Sequence, residues 1–395
     1  MVAIDSGRDD DALEDGIARI MAEFGDDYWL ARDRDGGFPE DFYQAMAEGG
    51  WLGIGFPEEL GGSGLGLREC AVAMRRIACS PGAMAAASAI HMNVFGPRAI
   101  VEFGTEAQRR DWIPPIIRGE TKMAFAVTEP DAGLDTGAIT TRAEPDGAGG
   151  YRITGQKIWT STAQVADKVL ILVRTTPRKD GPREEGARRT DGLSLFYLDL
   201  DRRYCDIREI EKMGRKAVDS NEIFFDGLPA TPEELVGEKG QGFSHLIHSL
   251  NPERILVAAE AVGIGQEALR RAAGYAAERV VFDRPIGQNQ SIQHPLAQSW
   301  AELEAAWLLC LEAAGLCDRG RPCGAQANAA KYLAAEAGYR ACERAVLTFG
   351  GMGYAKAFHV ERLLREIMIP RLAPISQQMA LNYIAERVLG LPKSY

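Results

Sequence analysis

Residues 124–137, AFAVTEPDAGLDTG, start as a strand and end among turn formers, and the fold depends on what surrounds them. A second segment of the same character, GQKIWTSTAQ (155–164), also sets small, hydroxyl-bearing or glycine residues at the end of a predicted strand. Their spacing alone supports no more than two turns. Around them run MAFAVT, YRITGQKIWT, KVLILVRT, LSLFYLDL and NEIFFDGL, short β-rich stretches separated by Gly, Asp and Pro. That pattern predicts an antiparallel sheet or barrel over residues 122–235 rather than βαβ units. The charged insert TTPRKDGPREEGARRTDG (175–192) reads as a mobile surface loop.

On both sides the periodicity changes to that of helices. Leu13, Ile17, Ile20 and Phe24 recur at helical spacing, so residues 1–121 should form a helical domain, interrupted by the loop ELGGSGLGL (59–67). This loop matches neither the phosphate-binding GxxxxGK pattern nor a GxSxG nucleophile elbow. From Gly242 the helical period returns: Leu296, Trp300, Leu303, Trp307, Cys310 and Ala314 mark one face of a long helix, and residues 236–395 should form a helical bundle. The order is therefore helical domain, β domain, helical bundle.

Composition narrows the function classes. A chain of 395 residues, 46% hydrophobic and 26% charged, can bury a large core in two or three domains. A net charge of -11 argues against a nucleic-acid partner, although a local basic groove could still attract an anion. The opening MVAIDSGRDDDALEDG has no basic and apolar leader pattern, and no run of apolar residues is long enough for a membrane span, so we expect a cytoplasmic protein. Seven scattered cysteines without zinc spacing should be reduced, packed thiols. His245 and His248 lie three apart without an apparent third ligand, so no metal is expected.

The two opening segments resemble motifs of the acyl-CoA dehydrogenase family, its flavin-binding TEPxxGSD signature and its KxWIT motif. Further matches follow in order: ERVVFDRPIGQNQSIQH (278–294) resembles ERxxFGxxIxxxQ, FGGMGY (349–354) resembles the GGxGY turn, and VERLLRE (360–366) resembles the VERxxRD helix. The loop ELGGSGLG is similar to the family's GGxGL loop. The resemblance, over nearly the whole chain, implies a helical domain, a β-barrel and a four-helix bundle holding FAD between them, in a tetramer built from dimers. It also implies that Phe125, Val127 and Thr128 line the flavin ring, with Trp159 and Ser161 on its other side. Arg279, Phe282 and Gln290 would reach the adenosine diphosphate part of FAD in a neighbouring subunit, near Gly350 and Gly351, while Ser376 and Gln378 match further flavin contacts. Leu134 and Leu347 depart from the pattern, standing where the family commonly has Ser and Gln.

The family reaction removes the α hydrogen of an acyl thioester as a proton while the β hydrogen leaves as hydride to flavin N5. It needs a carboxylate near the α carbon and donors on the thioester carbonyl. Most members place that glutamate in an IYEGT segment, but here the aligned stretch is LAPIS and Pro374 offers neither a carboxylate nor an amide N–H. Members handling branched or long acyl chains carry the base on the first long bundle helix, and Glu253, followed by Arg254, matches that position. His91 lies in a stretch that lines the family's substrate cavity. If the helix starts near Gly242, Pro252 removes a hydrogen bond to the His248 carbonyl; if it starts at Pro252, its dipole favours an ionised Glu253. The resemblance thus implies an FAD-dependent acyl-CoA dehydrogenase with Glu253 as base and an electron-transfer flavoprotein as acceptor. The alternatives are a flavin-dependent monooxygenase of the same fold or a subunit of a hetero-oligomer, and an acyl carrier protein could replace coenzyme A.

Overall fold

The computed structural model describes residues 8–177 and 188–394. The insert expected to be a mobile loop falls largely on residues 178–187, outside the described residues. The chain opens with seven helices: α1 (Arg8–Glu23), α2 (Asp26–Asp35), α3 (Glu40–Glu48), α4 (Leu67–Ala78), α5 (Ala83–Phe95), α6 (Arg98–Phe103) and α7 (Glu106–Ile117). The stripe on α1 faces inward, with Ile17 and Phe24 buried and Leu13 and Ile20 packed beside them. By contrast α5, rich in alanine, is buried on every side except at Met92, because its small side chains admit neighbouring helices all round. A capping box, Thr105 with Gln108, starts α7.

Eight strands follow: β1 (Met123–Ala126), β2 (Arg142–Pro145), β3 (Tyr151–Ser161), β4 (Lys168–Arg174), β5 (Leu193–Asp199), β6 (Cys205–Glu209), β7 (Ser220–Ala230) and β8 (Leu235–Val236). They pair in the order β6-β7-β3-β2-β4-β5-β8, with β1 added parallel to β4. The antiparallel β domain is as expected, but its path does not close among the described residues, so the sheet is open rather than a barrel. The β2–β4 pair joins the two halves at Arg142 and Arg174.

The last part is α8 (Gly242–Glu278), the short ribbon β9 (Val280–Val281) and β10 (Arg284–Pro285), then α9 (Gln290–Asp318), α10 (Gly324–Phe349), α11 (Val360–Glu366), α12 (Met368–Leu372) and α13 (Gln377–Arg387). The long helices α8, α9 and α10 pack on one another, and α13 lies on α10. On the expected face of α9, Leu303, Trp307, Cys310 and Ala314 are buried, but Trp300 is largely open. The helix α8 begins at Gly242 and runs through Pro252, so the dipole reading of Glu253 falls.

The cysteine expectation also needs correction. Cys70, Cys205, Cys310 and Cys342 are buried free thiols, but Cys317 and Cys323 are disulfide-bonded. The turn from α9 to α10 brings their Cα atoms to 5.6 Å, a proximity that linear spacing does not reveal. Within that turn Asp318 accepts the Leu67 and Arg68 amides at 2.7 and 3.0 Å, capping α4 from the far end of the sequence. The largest apolar core draws from α1, α3, α4 and α5 as well as from α8, α9, α10 and α11, so the first and last thirds of the chain share one interior. Among the described residues no helix is long and apolar enough to cross a membrane.

Candidate active site

The two opening segments meet in space. The Ile158 amide donates to the Thr128 carbonyl at 2.9 Å, which ties the end of β1 to β3. Glu129 folds the TEP turn back onto the sheet: its carboxylate accepts from the Thr140 amide at 2.7 Å, the Thr141 amide at 2.9 Å and Lys157 Nζ at 3.0 Å. Burial works against this carboxylate, yet Lys157 and the threonine donors hold it below its ordinary range. Beside it, the β3 register slips between Lys157 and Thr160, and Trp159 sits in the bulge at φ 62. A bulge re-aims a side chain, and this indole is 57% exposed. Phe125, Val127 and Thr128 are half-buried next to it, and Asp131 is exposed in the turn. Ser161 accepts from Arg215 Nη2 at 3.2 Å.

A second group is assembled by α5 and α8. Glu253 is half-buried on α8, and its carboxyl is pushed up to about 7: desolvation raises it, His91 and Arg254 pull it down, and Glu260 adds to the rise. His91 Nδ1 donates to Glu260 Oε1 at 2.6 Å, with both side chains buried. Burial pulls this imidazole down, but Glu260 and then Glu253 outweigh it, and His91 lies above its ordinary value. Arg254 Nη1 donates to Asn251 Oδ1 at 2.7 Å. The His91 ring neighbours Phe95 at 5.6 Å and Phe95 neighbours Phe125 at 5.3 Å, so aromatic contacts connect this group to the first.

The loop carrying Pro374 is anchored from below. Lys331 on α10 donates to the Ile375 carbonyl at 2.7 Å and to Gln377 Oε1 at 2.9 Å, and the Ala373–Pro374 bond is cis. Ser376 caps α13 through the Met379 amide at 3.3 Å, while Gln378 is exposed. His245 and His248 both pack on Phe103, at 4.3 and 5.2 Å.

Arg279, Phe282, Gln290, Gly350 and Gly351 form a separate, exposed group. Tyr275 stacks on Phe349 at 4.1 Å, so the C-terminal ends of α8 and α10 lie together and bring the β9–β10 ribbon beside the glycine turn. Phe282 is 93% exposed, and Arg279 makes no ion pair among the described residues. Gly350 takes φ 60, and a Cβ at Gly350 or Gly351 would meet open space. From Glu253 to Arg279 the helix runs about 39 Å. Sequence reading missed Glu260, Arg215 and Lys331. A lone glutamate in the apolar run AAEAV was a signal for Glu260; nothing in the sequence singled out the other two.

These residues fit FAD. An indole left open by a bulge suits one face of an isoalloxazine ring, and an unpaired guanidinium beside side-chain-free backbone suits a pyrophosphate. Leu134 and Leu347, 57% and 71% exposed, leave apolar surface where the family commonly has polar contacts.

Comparison with known proteins agrees. Residues 8–120 match the acyl-CoA dehydrogenase N-terminal domain, residues 124–228 its middle domain and residues 240–389 its C-terminal domain. The chain is 38% identical to acyl-CoA dehydrogenase fadE12 of Mycobacterium bovis over 97% of each chain. It is 33% identical to the caffeyl-CoA reductase-Etf complex subunit CarC of Acetobacterium woodii, over 85% of this chain and 86% of that one. Butyryl-CoA dehydrogenase of Megasphaera elsdenii superposes with a TM-score of 0.91 at 27% identity, covering 98% of this chain and 100% of that one. The chain therefore belongs to the acyl-CoA dehydrogenase family and is an FAD-dependent oxidoreductase.

Proposed function

We propose that the protein carries out α,β-dehydrogenation of an acyl-CoA thioester to the 2,3-enoyl-CoA, with Glu253 as the base. The observation that carries this reading is a half-buried carboxyl pushed up to about 7, next to His91 and Arg254, in a chain whose other expected base position is Pro374. A carboxyl held near neutrality is matched to proton abstraction at physiological pH. Phe125, Val127, Thr128, Trp159, Ser161, Ser376 and Gln378 would hold the ring end of FAD, which when bound accepts the β hydride. The α proton passes to a Glu253 oxygen, and the electron pair left on the α carbon becomes the new double bond. Pro374 offers no amide to the thioester carbonyl, so another group must polarise it. Arg254, beside the base, and His91, above it on α5, are the substrate-binding residues in this reading.

Arg279, Phe282, Gln290, Gly350 and Gly351 would meet the adenosine diphosphate end. Their distance along α8 from Glu253 supports their serving the FAD of a neighbouring subunit, hence a homotetramer or dimer of dimers. By analogy with the base position, the acyl group is long, branched or bulky. An electron-transfer flavoprotein is the acceptor and the cytoplasm the compartment. The test is anaerobic titration of the bound flavin with straight, branched and polycyclic acyl-CoAs. Bleaching by one class is expected; no bleaching by any class, with FAD bound, would sink the reading.

A further inference from the structure

Glu253 and Glu260 are seven residues apart on one helix, which sets them about 20° apart around the axis and roughly 10 Å apart along it. Both therefore lie on the side of α8 that meets α5. From α5, His91 reaches across to Glu260 and makes the 2.6 Å contact through Nδ1, while its Nε2 makes no hydrogen bond among the described residues. Here one nitrogen is committed to a carboxylate and the ring is held within electrostatic reach of a second carboxylate, Glu253.

We propose that Glu260 and His91 form the positioning pair for Glu253: Glu260 orients the ring through Nδ1 and keeps a positive imidazole beside the base. This rests on the reading of Glu253 as base, and neither partner is assigned contact with the reacting atoms. The pair answers a physical difficulty. A half-buried carboxylate with no helix N-terminus nearby would stay protonated well above neutrality, and a neutral carboxyl cannot take a proton. A neighbouring cation favours the ionised form. Arg254 is one such cation, on the same helix. The imidazolium is the other, and its charge depends on Glu260.

The surrounding charges are all identifiable. His91, Arg254 and Glu260 act on Glu253, and Glu260, Glu253 and Arg215 act on His91. Arg215 in turn feels Glu260, Glu366 of α11 and Asp219, while Arg254 feels Glu253 and Tyr383 of α13. Lys331 of α10 feels the Arg254 charge. Arg215 also donates to Ser88 on α5 at 3.3 Å, to Ser161 at 3.2 Å and to Ser220 at 3.0 Å, so the helix that carries His91 is tied to the β domain as well.

The decisive experiment reads Glu253 directly. Infrared difference spectra of FAD-loaded wild type minus Glu253→Gln isolate the carboxyl band of Glu253, and its loss with rising pH gives a titration midpoint without any substrate. Repeating this in a His91→Asn background and in a His91→Gln background, each should move the midpoint upward by about one pH unit, because each removes the imidazolium while leaving Glu260, whose own charge raises this carboxyl; Glu260→Gln should lower the midpoint further where the ring is absent than where it is present, because with the ring present the loss of its charge opposes the fall. FAD content and melting temperature show whether each background is folded; His91→Gln keeps more of the side chain's volume and remains informative if His91→Asn does not fold. An unchanged midpoint in a folded His91 variant, or a Glu260→Gln shift that is the same with and without the ring, overturns the proposal, whatever happens to turnover. The reading of Glu253 as base fails separately, if Glu253→Gln bleaches its flavin with acyl-CoA as fast as wild type does. In that event the infrared midpoints still decide whether the pair controls this carboxyl.

Discussion

The two ends of α8 make opposite offers. Around residues 253–260 the helix is enclosed, and everything that acts on its carboxylates comes from the same chain: His91 on α5, Arg254 beside it, Arg215 from the approach to β7. Around residues 279–290 it ends in exposed Arg279, Phe282 and Gln290, with charge and apolar surface that nothing in the chain answers. In the function proposed above, the proton chemistry draws on residues of one chain, whereas the adenosine diphosphate end of the cofactor is met by a neighbouring subunit. A mutation at the enclosed end should therefore damage turnover and spare cofactor content. At the open end the reverse should hold.

The strongest test of that contrast is Glu253→Gln. It should slow anaerobic flavin reduction by acyl-CoA about 100- to 10,000-fold, the usual range for loss of a general base, with FAD still bound. Loss of FAD instead would erase the contrast. Next in size, Arg279→Ala should weaken FAD retention roughly 10- to 100-fold, as expected for losing a charge-assisted contact, with sedimentation showing a smaller assembly. Loss of reduction rate at constant FAD content would break the comparison from the other side.

A third effect concerns stability. Because the folded carboxyl of Glu253 sits at about 7 against an ordinary 4.5, the folded state binds the extra proton, and its stability falls as pH rises through that window. Glu253→Gln escapes this loss. The variant should therefore melt higher than wild type above neutrality, by about 1–3 kcal/mol, with the difference vanishing toward acid. Smallest of all, Trp159→Ala should cost FAD affinity only about 0.5–1.5 kcal/mol, measured by fluorescence titration, and leave the melting temperature of the FAD-free protein unchanged. Its indole is already open, so the sheet does not depend on it.

Much of this arrangement was legible in the sequence, because periodicity reports which face of an element is buried. The stripes on α1 and α9, the antiparallel β domain and the apolar bundle followed from spacing, and the expectation for Glu253 came from motif position. Closure of the sheet was not legible, since alternation along a strand says nothing about which strand lies at its edge. Trp300 shows the same limit: it has the right phase on α9 but is exposed, where Leu303 and Trp307 are buried. Glu260, Arg215 and Lys331 bond to partners on other elements, as far as 169 residues away, and single-position chemistry does not encode such pairings. The Cys317–Cys323 bond was missed for a related reason: it depends on how tightly α9 turns into α10.

Three family segments can be recognised separately along this chain, which invites the idea that they are exchangeable parts. The cap that Asp318 places on α4 argues otherwise. So do Arg271 donating to Asp26 and Arg365 donating to Asp33, each joining the last third to the first. A chimera that grafted the opening helices of a relative onto this body would have to import acceptors and donors for all three sites together. The protein is modular as text and indivisible as an object, and recombination between family members should succeed only where crossover points respect both ends of these long-range contacts.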